Sequence, residues 1–212
     1  VPQGARWIRR RGPGSAGRLA GDLERGGRPV GRDDDRLERR PVEPRAERRR
    51  PARGLARADV DPLLDILNRR GFERELVRSL AYVQRYGTVA ALMFIDLDGF
   101  KAVNDRHGHA AGDALLRAVA TTLSRNVRAS DVVARLGGDE FGVLMWNLDE
   151  TRAKAKVDEL EALIAEVRVD HGADALYVGA SAGVIALDPD ATAEAIIDAA
   201  DRSMYVRKKG KR

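Results

Sequence analysis

The sequence predicts an α+β fold, a central and mostly antiparallel sheet with a β-α-β-β-α-β core flanked by helices. Three observations carry that prediction. Between residues 59 and 212 the apolar spacing alternates between helical and strand periods, in the order helix, strand, helix, two strands, helix, strand, helix. Gly137-Gly138 sits between two apolar segments, which marks a tight hairpin. The continuous apolar run 89–95 is short enough for a buried strand. The helices are expected to pack on one face of the sheet.

Each element has its own signal. Asn68 is placed to cap a helix whose Phe72, Leu76, Leu80 and Val83 recur at helical spacing, and Tyr86-Gly87 ends it. The strand 89–95 stops at Asp96-Leu97-Asp98-Gly99. A short helical turn over 100–104 precedes a helix over 110–127, which carries Leu115, Leu116, Val119 and Leu123 on one face. Val132-Val133-Ala134 and Phe141-Gly142-Val143-Leu144-Met145 are the hairpin strands. Helix 150–168 is patterned by Val157, Leu160, Leu163, Ile164 and Val167. A strand over 176–186 and a helix over 192–207 complete the order.

Charge divides the 212 residues unevenly. Residues 1–57 hold 17 Arg and 8 acidic residues, a net +9, and the rest of the chain is at −4. The basic pI of 9.8 therefore belongs to the tail. Residues 1–58, rich in Arg, Gly and Pro, have too few large apolar side chains to offset ordering entropy and read as a disordered or linker segment. An RNA- or lipid-contacting arm is the alternative. Residues 59–212 form the folded domain, and their acidic balance disfavours specific nucleic-acid binding. With no cysteine, thiolate metal sites and disulfides are excluded. No apolar run reaches the roughly 18 residues of a transmembrane segment, and the start lacks the apolar stretch of a secretion signal. A soluble cytoplasmic protein is expected. The chain opens on Val1, so an upstream region is allowed for.

Asp139 and Glu140 follow the glycine turn, so these two carboxylates stand at an exposed hairpin tip where they need not be desolvated. The topology places the first core strand beside the hairpin, which brings Asp96 towards them. An all-oxygen cluster without His or Cys suits Mg²⁺ or Mn²⁺. Magnesium commonly binds through one or two carboxylates and substrate phosphates, which points to a nucleotide. Backbone amides over 97–101 precede a helical turn and suit phosphate. Lys208, Lys209, Lys211 and Arg212 add positive charge for a triphosphate. Asn104 and Asp113 offer hydrogen-bonding groups for a purine edge, a pair too common to carry weight alone.

The run Asp96-Leu97-Asp98-Gly99-Phe100-Lys101-Ala102-Val103-Asn104-Asp105-Arg106-His107-Gly108-His109-Ala110-Ala111-Gly112-Asp113, followed by Arg135-Leu136-Gly137-Gly138-Asp139-Glu140-Phe141, resembles the GGDEF domain of diguanylate cyclases. The match continues through Asn68-Arg69-Arg70, Ser181-Ala182-Gly183, and Ala200-Asp201 to Tyr205, and covers about 61–212. It implies the GGDEF, nucleotidyl-cyclase-like version of the predicted fold. It further implies that Asp96 and Asp139 ligate Mg²⁺ or Mn²⁺ with the Leu97 carbonyl assisting. Glu140 would help bind metal or activate the attacking 3′-hydroxyl, making Asp139 and Glu140 the catalytic pair. Asn104 and Asp113 would read guanine. The amides of Gly99 and Phe100, with Lys101, Lys208 and Arg212, would hold phosphates. The implied reaction joins two GTP into cyclic di-GMP with release of pyrophosphate, and needs a homodimer because each domain holds one GTP. Arg128-Ala129-Ser130-Asp131 resembles the family's inhibitory site, where Arg128 pairs with phosphate and Asp131 accepts from guanine of the product.

Two segments depart from the family pattern. Leu64 and Asp65 stand where Thr and Gly are usual in Asp-x-Leu-Thr-Gly-Leu-x-Asn-Arg-Arg. Arg207-Lys208-Lys209-Gly210-Lys211-Arg212 has its glycine one residue earlier than Ala-Lys-x-x-Gly-Arg. The alternative to an enzyme is a catalytically silent GGDEF domain acting as a receptor for GTP or cyclic di-GMP. Intact Asp96, Asp139 and Glu140 favour the enzyme.

Overall fold

The computed structural model describes residues 57–148 and 150–210. Apart from Arg57 and Ala58, the segment read as a linker lies outside the described residues, as do Lys211 and Arg212. The elements are β1 (Leu67–Asn68), α1 (Arg69–Tyr86), β2 (Ala90–Asp98), α2 (Phe100–His107), α3 (His109–Arg125), β3 (Val132–Arg135), β4 (Glu140–Trp146), α4 (Glu150–Ala165), β5 (Val169–His171), β6 (Asp174–Leu176), β7 (Gly179–Ala186) and α5 (Ala193–Gly210). The main sheet runs β1-β3-β4-β2-β7, and only the β1–β3 pairing is parallel.

Local chemistry accounts for the boundaries. Asn68 caps α1 by accepting from the Gly71 N–H at 2.9 Å, and Gly87 closes it in the left-handed region at φ 63°. Before α1, Asp61 accepts from the amides of Leu63 and Leu64 at 2.9 and 3.0 Å, a turn built from one carboxylate. Asp65, standing at the pattern's glycine, keeps a left-handed backbone at φ 54°. The turn thus survives the departure from the pattern, because aspartate is among the few residues that tolerate this conformation.

Helices cover both faces of the sheet, not one as the element order suggested. Ala91, Met93, Ile95 and Leu97 of β2 enter a core with Leu115, Leu116 and Val119 of α3 and Val157, Leu160 and Ile164 of α4. Ala90, Leu92 and Phe94 enter a second core with Phe72, Leu76 and Leu80 of α1 and Ile196, Ala200 and Met204 of α5. A strand buried on both faces has no polar face to alternate with, so it reads as the continuous apolar run seen in the sequence. The short hairpin β5–β6 was not foreseen either, since its three-residue strands are too short to set a period; Gly172 turns it at φ 64°. It fills the stretch left unassigned after helix 150–168 and overlaps the expected last strand only at Leu176; that strand begins at Gly179.

Candidate functional site

The sheet delivers the acidic residues to one end of one face. Asp96 and Asp98 are two apart on β2, so both point towards the α1 and α5 side, where Leu92 and Phe94 also lie. In register, Asp96 stands opposite Glu140 of β4 on one side and Ser181 of β7 on the other. Leu97 points into the opposite core, and its N–H donates to the Asp139 carbonyl at 3.2 Å, holding the hairpin turn against β2.

Arg135 braces that turn from beneath. Its guanidinium donates to the Gly137 carbonyl at 3.0 Å and the Gly138 carbonyl at 2.8 Å, and pairs with Asp61 at 3.3 Å. Gly137 lets the Glu140 carboxylate lie close over the turn, since a Cβ there would stand 2.4 Å from Glu140 Oε2 and turn that side chain aside. Burial pushes the Glu140 carboxyl above its ordinary value; Arg69 opposes this, while the charges of Asp139, Asp96 and Asp201 push the same way.

Lys208 on α5 donates to Asp96 Oδ1 and lies 3.6 Å from Asp98 Oδ1, while Ser181 Oγ donates to Asp98 Oδ2 at 2.8 Å. Partial burial pulls the Lys208 ammonium down, but Asp96 and then Asp98 outweigh it and raise it above the ordinary lysine value. Of the other expected basic residues, Lys209 instead lies over the Tyr205 ring at 4.5 Å. Lys101 is exposed on the first turn of α2, after Gly99 in the left-handed region at φ 85° and the buried Phe100.

The expected convergence of three carboxylates is present as register, not as a closed cage. Among the described residues, no three His, Cys, Asp or Glu side chains gather closely enough to hold a metal ion. Like charges repel, and Asp96 is paired instead with Lys208 of α5. The donor set nevertheless fits a hard divalent cation: Asp96, Asp139, Glu140 and the Leu97 carbonyl are all oxygen donors, and a cation there would offset both the burial that chiefly raises Glu140 and the smaller push of its acidic neighbours.

Asn104 lies on α2 and Asp113 in the first turns of α3, the helix that follows it. Asn104 Oδ1 is buried without a hydrogen-bond partner and packs against Gly112, where a Cβ would stand 2.0 Å away. An unsatisfied buried amide costs about 1–3 kcal/mol, so turning it towards a ligand is favourable. Arg128 is exposed and donates to the Trp146 carbonyl at 3.5 Å. Asp131 is already engaged, accepting from the Arg128 N–H at 2.8 Å and the Trp146 N–H at 3.2 Å. It thus shapes the loop that presents Arg128.

Sequence reasoning assigned no role to Asp98, Ser181, Arg135 or Arg69. Period two along β2 marks Asp98 as a neighbour of Asp96, a signal that was available. Arg69, Arg135 and Ser181 stood in the matching motifs, but their partners arrive only through tertiary pairing.

The profile described as "Diguanylate cyclase, GGDEF domain" matches residues 58–212, and this chain belongs to that family. The probable diguanylate cyclase DgcE of Escherichia coli is 40% identical over 156 residues, 73% of this chain and 14% of that protein. The diguanylate cyclase TpbB of Pseudomonas aeruginosa is 37% identical over 159 residues, 72% of this chain and 35% of that protein. The chain therefore spans less than half the length of either relative. A sensory box/GGDEF family protein of Caulobacter crescentus superposes with a TM-score of 0.66 at 37% identity, covering 72% of this chain and 99% of that one. The GGDEF domain of DgcB from the same organism, in complex with c-di-GMP, superposes with a TM-score of 0.70 at 27% identity, covering 74% and 94%.

Proposed function

We propose that the domain of residues 59–212 is a diguanylate cyclase, joining two GTP into cyclic di-GMP and releasing two pyrophosphates. The observation that carries this reading is the register of Asp96 against Glu140 beside the Gly137-Gly138 turn, with Lys208 of α5 reaching the same acids. Asp96, Asp139, Glu140 and the Leu97 carbonyl would hold Mg²⁺ or Mn²⁺. When bound, that cation offsets negative charge on the phosphoryl oxygens. The chain's own residues mainly position the reactants. Asn104 and Asp113 bind the guanine edge. The amides of Gly99 and Phe100, with Lys101, Lys208 and Arg212, hold the phosphates. Glu140 serves the cation or takes the proton of the attacking 3′-hydroxyl; a new oxygen–phosphorus bond forms as the bond to pyrophosphate breaks.

One domain holds one GTP, so both bonds form only when two copies meet face to face. The exposed Arg128, with Asp131, supports a product-binding site, and the DgcB domain in complex with c-di-GMP supports the same chemistry. No helix among the described residues is long and apolar enough to cross a membrane. A cytoplasmic address goes with a GTP substrate.

Incubation with GTP and Mg²⁺, followed by identification of the product, tests the reading. Cyclic di-GMP is expected from wild type, with none from Asp139→Asn. GTP that binds but is never converted, even at high protein concentration, would assign the domain to the silent receptors. Binding of cyclic di-GMP should disappear in Arg128→Ala; full binding by that variant would remove the inhibitory site from the proposal.

A further inference from the structure

Arg207 stands where the pattern Ala-Lys-x-x-Gly-Arg has alanine, and its side chain makes contacts that alanine cannot. Its Nε donates to Glu161 Oε1 at 3.0 Å and a terminal nitrogen to Glu161 Oε2 at 3.1 Å, a two-pronged hold on α4. The same terminal nitrogen pairs with Asp158. Glu161 Oε1 also accepts from the Ala182 N–H of β7 at 2.7 Å. One carboxylate therefore joins α4, the edge of the main sheet and the last turns of α5. Ser181, next to Ala182, is the residue that donates to Asp98.

Lys208 follows Arg207 and so leaves α5 about 100° further round the helix. There it reaches Asp96 and Asp98. An ammonium on a flexible four-carbon stem can be held at one place only if its backbone is held.

We infer that Arg207 is a positioning residue, whose fork on Glu161 fixes the end of α5 so that Lys208 stands over Asp96 and Asp98 and meets the polyphosphate of the substrate. This rests on the diguanylate cyclase reading. The fork belongs to this chain's own sequence, where the glycine that follows the lysine comes one residue early.

Calorimetric titration of a non-hydrolysable GTP analogue with Mg²⁺ into the full chain tests it. Lys208→Ala should weaken binding about tenfold through loss of a charged phosphate contact. Arg207→Ala should weaken it roughly three- to tenfold, and the double variant should bind no worse than Lys208→Ala, because coupled residues are not additive. Arg207→Lys should fail to restore affinity, since one ammonium cannot fork. Should Arg207→Ala fold poorly, Glu161→Gln breaks the same fork. Equal weakening by Arg207→Ala with and without Lys208, or wild-type affinity in Arg207→Ala, would overturn the inference while leaving the nucleotide site standing. Failure of the wild-type chain to bind the analogue overturns the diguanylate cyclase reading, and the inference with it.

Discussion

Asp65 holds a left-handed backbone at φ 54° with a side chain attached. Left-handed geometry costs an L-residue about 1–2 kcal/mol, reduced for aspartate. Asp65→Gly is therefore expected to raise stability by about 0.5–1 kcal/mol in urea unfolding, and a lower midpoint would count against this account. Glu140 gives a second prediction at this scale. Its folded-state pKa is raised, so its contribution to stability is fully present below the unfolded value near 4.5 and is lost as pH rises through the folded value. Glu140→Gln removes that loss. Without metal or nucleotide, the variant should melt above wild type at about pH 8, with the gap closing towards about pH 4. A gap of opposite sign would mean that the carboxylate is stabilised in place. Asp139 and Glu140 were conspicuous in the sequence as adjacent acids after a glycine pair, and Asp96 entered through the strand order that brings it beside them. Arg135 was visible only as the first residue of a motif. Its bonds to Gly137, Gly138 and Asp61 depend on a side chain folding back under its own turn and on a contact 74 residues away, neither of which leaves a local pattern.

At the level of elements, the approach of α5 to β7 governs where Lys208 lies. A Cβ on Gly183 would stand 2.1 Å from the backbone nitrogen of Met204, so the helix rests directly on the strand. Gly183→Ala should push α5 outward, costing about 1–3 kcal/mol as overpacking does. Weaker binding of a GTP analogue should accompany the loss; unchanged stability and affinity would show that α5 does not depend on this contact. The hairpin β3–β4 has a similar dependence on Arg135. Arg135→Ala forfeits several hydrogen bonds, each worth roughly 0.5–1.5 kcal/mol net, and should lower the melting temperature and the rate of product formation together. The helices and main strands were legible because each has a period and a cap, Asn68 and Gly87 being the plainest. The two-sided covering of the sheet was not, since element order alone does not say on which face a helix returns.

For the molecule as a whole, the proposed reaction makes assembly the limiting quantity. Specific activity should rise with protein concentration, because one domain holds half of the reacting pair; a flat profile across the range in which monomers predominate would contradict the face-to-face scheme. Removal of residues 1–57 should leave GTP turnover largely unchanged if they serve only as a linker, and loss of turnover would give the segment a part in assembly. The sequence alone determined the α+β class, the order of its principal elements, the family and the residue types at the candidate site. Those features are written in local periods and short motifs, so they need no knowledge of distant partners. Tertiary structure alone decided which acids face one another, which way α5 carries Lys208, and that Arg207 grips Glu161 rather than solvent. Each of those depends on strand register and helix placement, set by packing across separations of tens of residues where no local pattern can act.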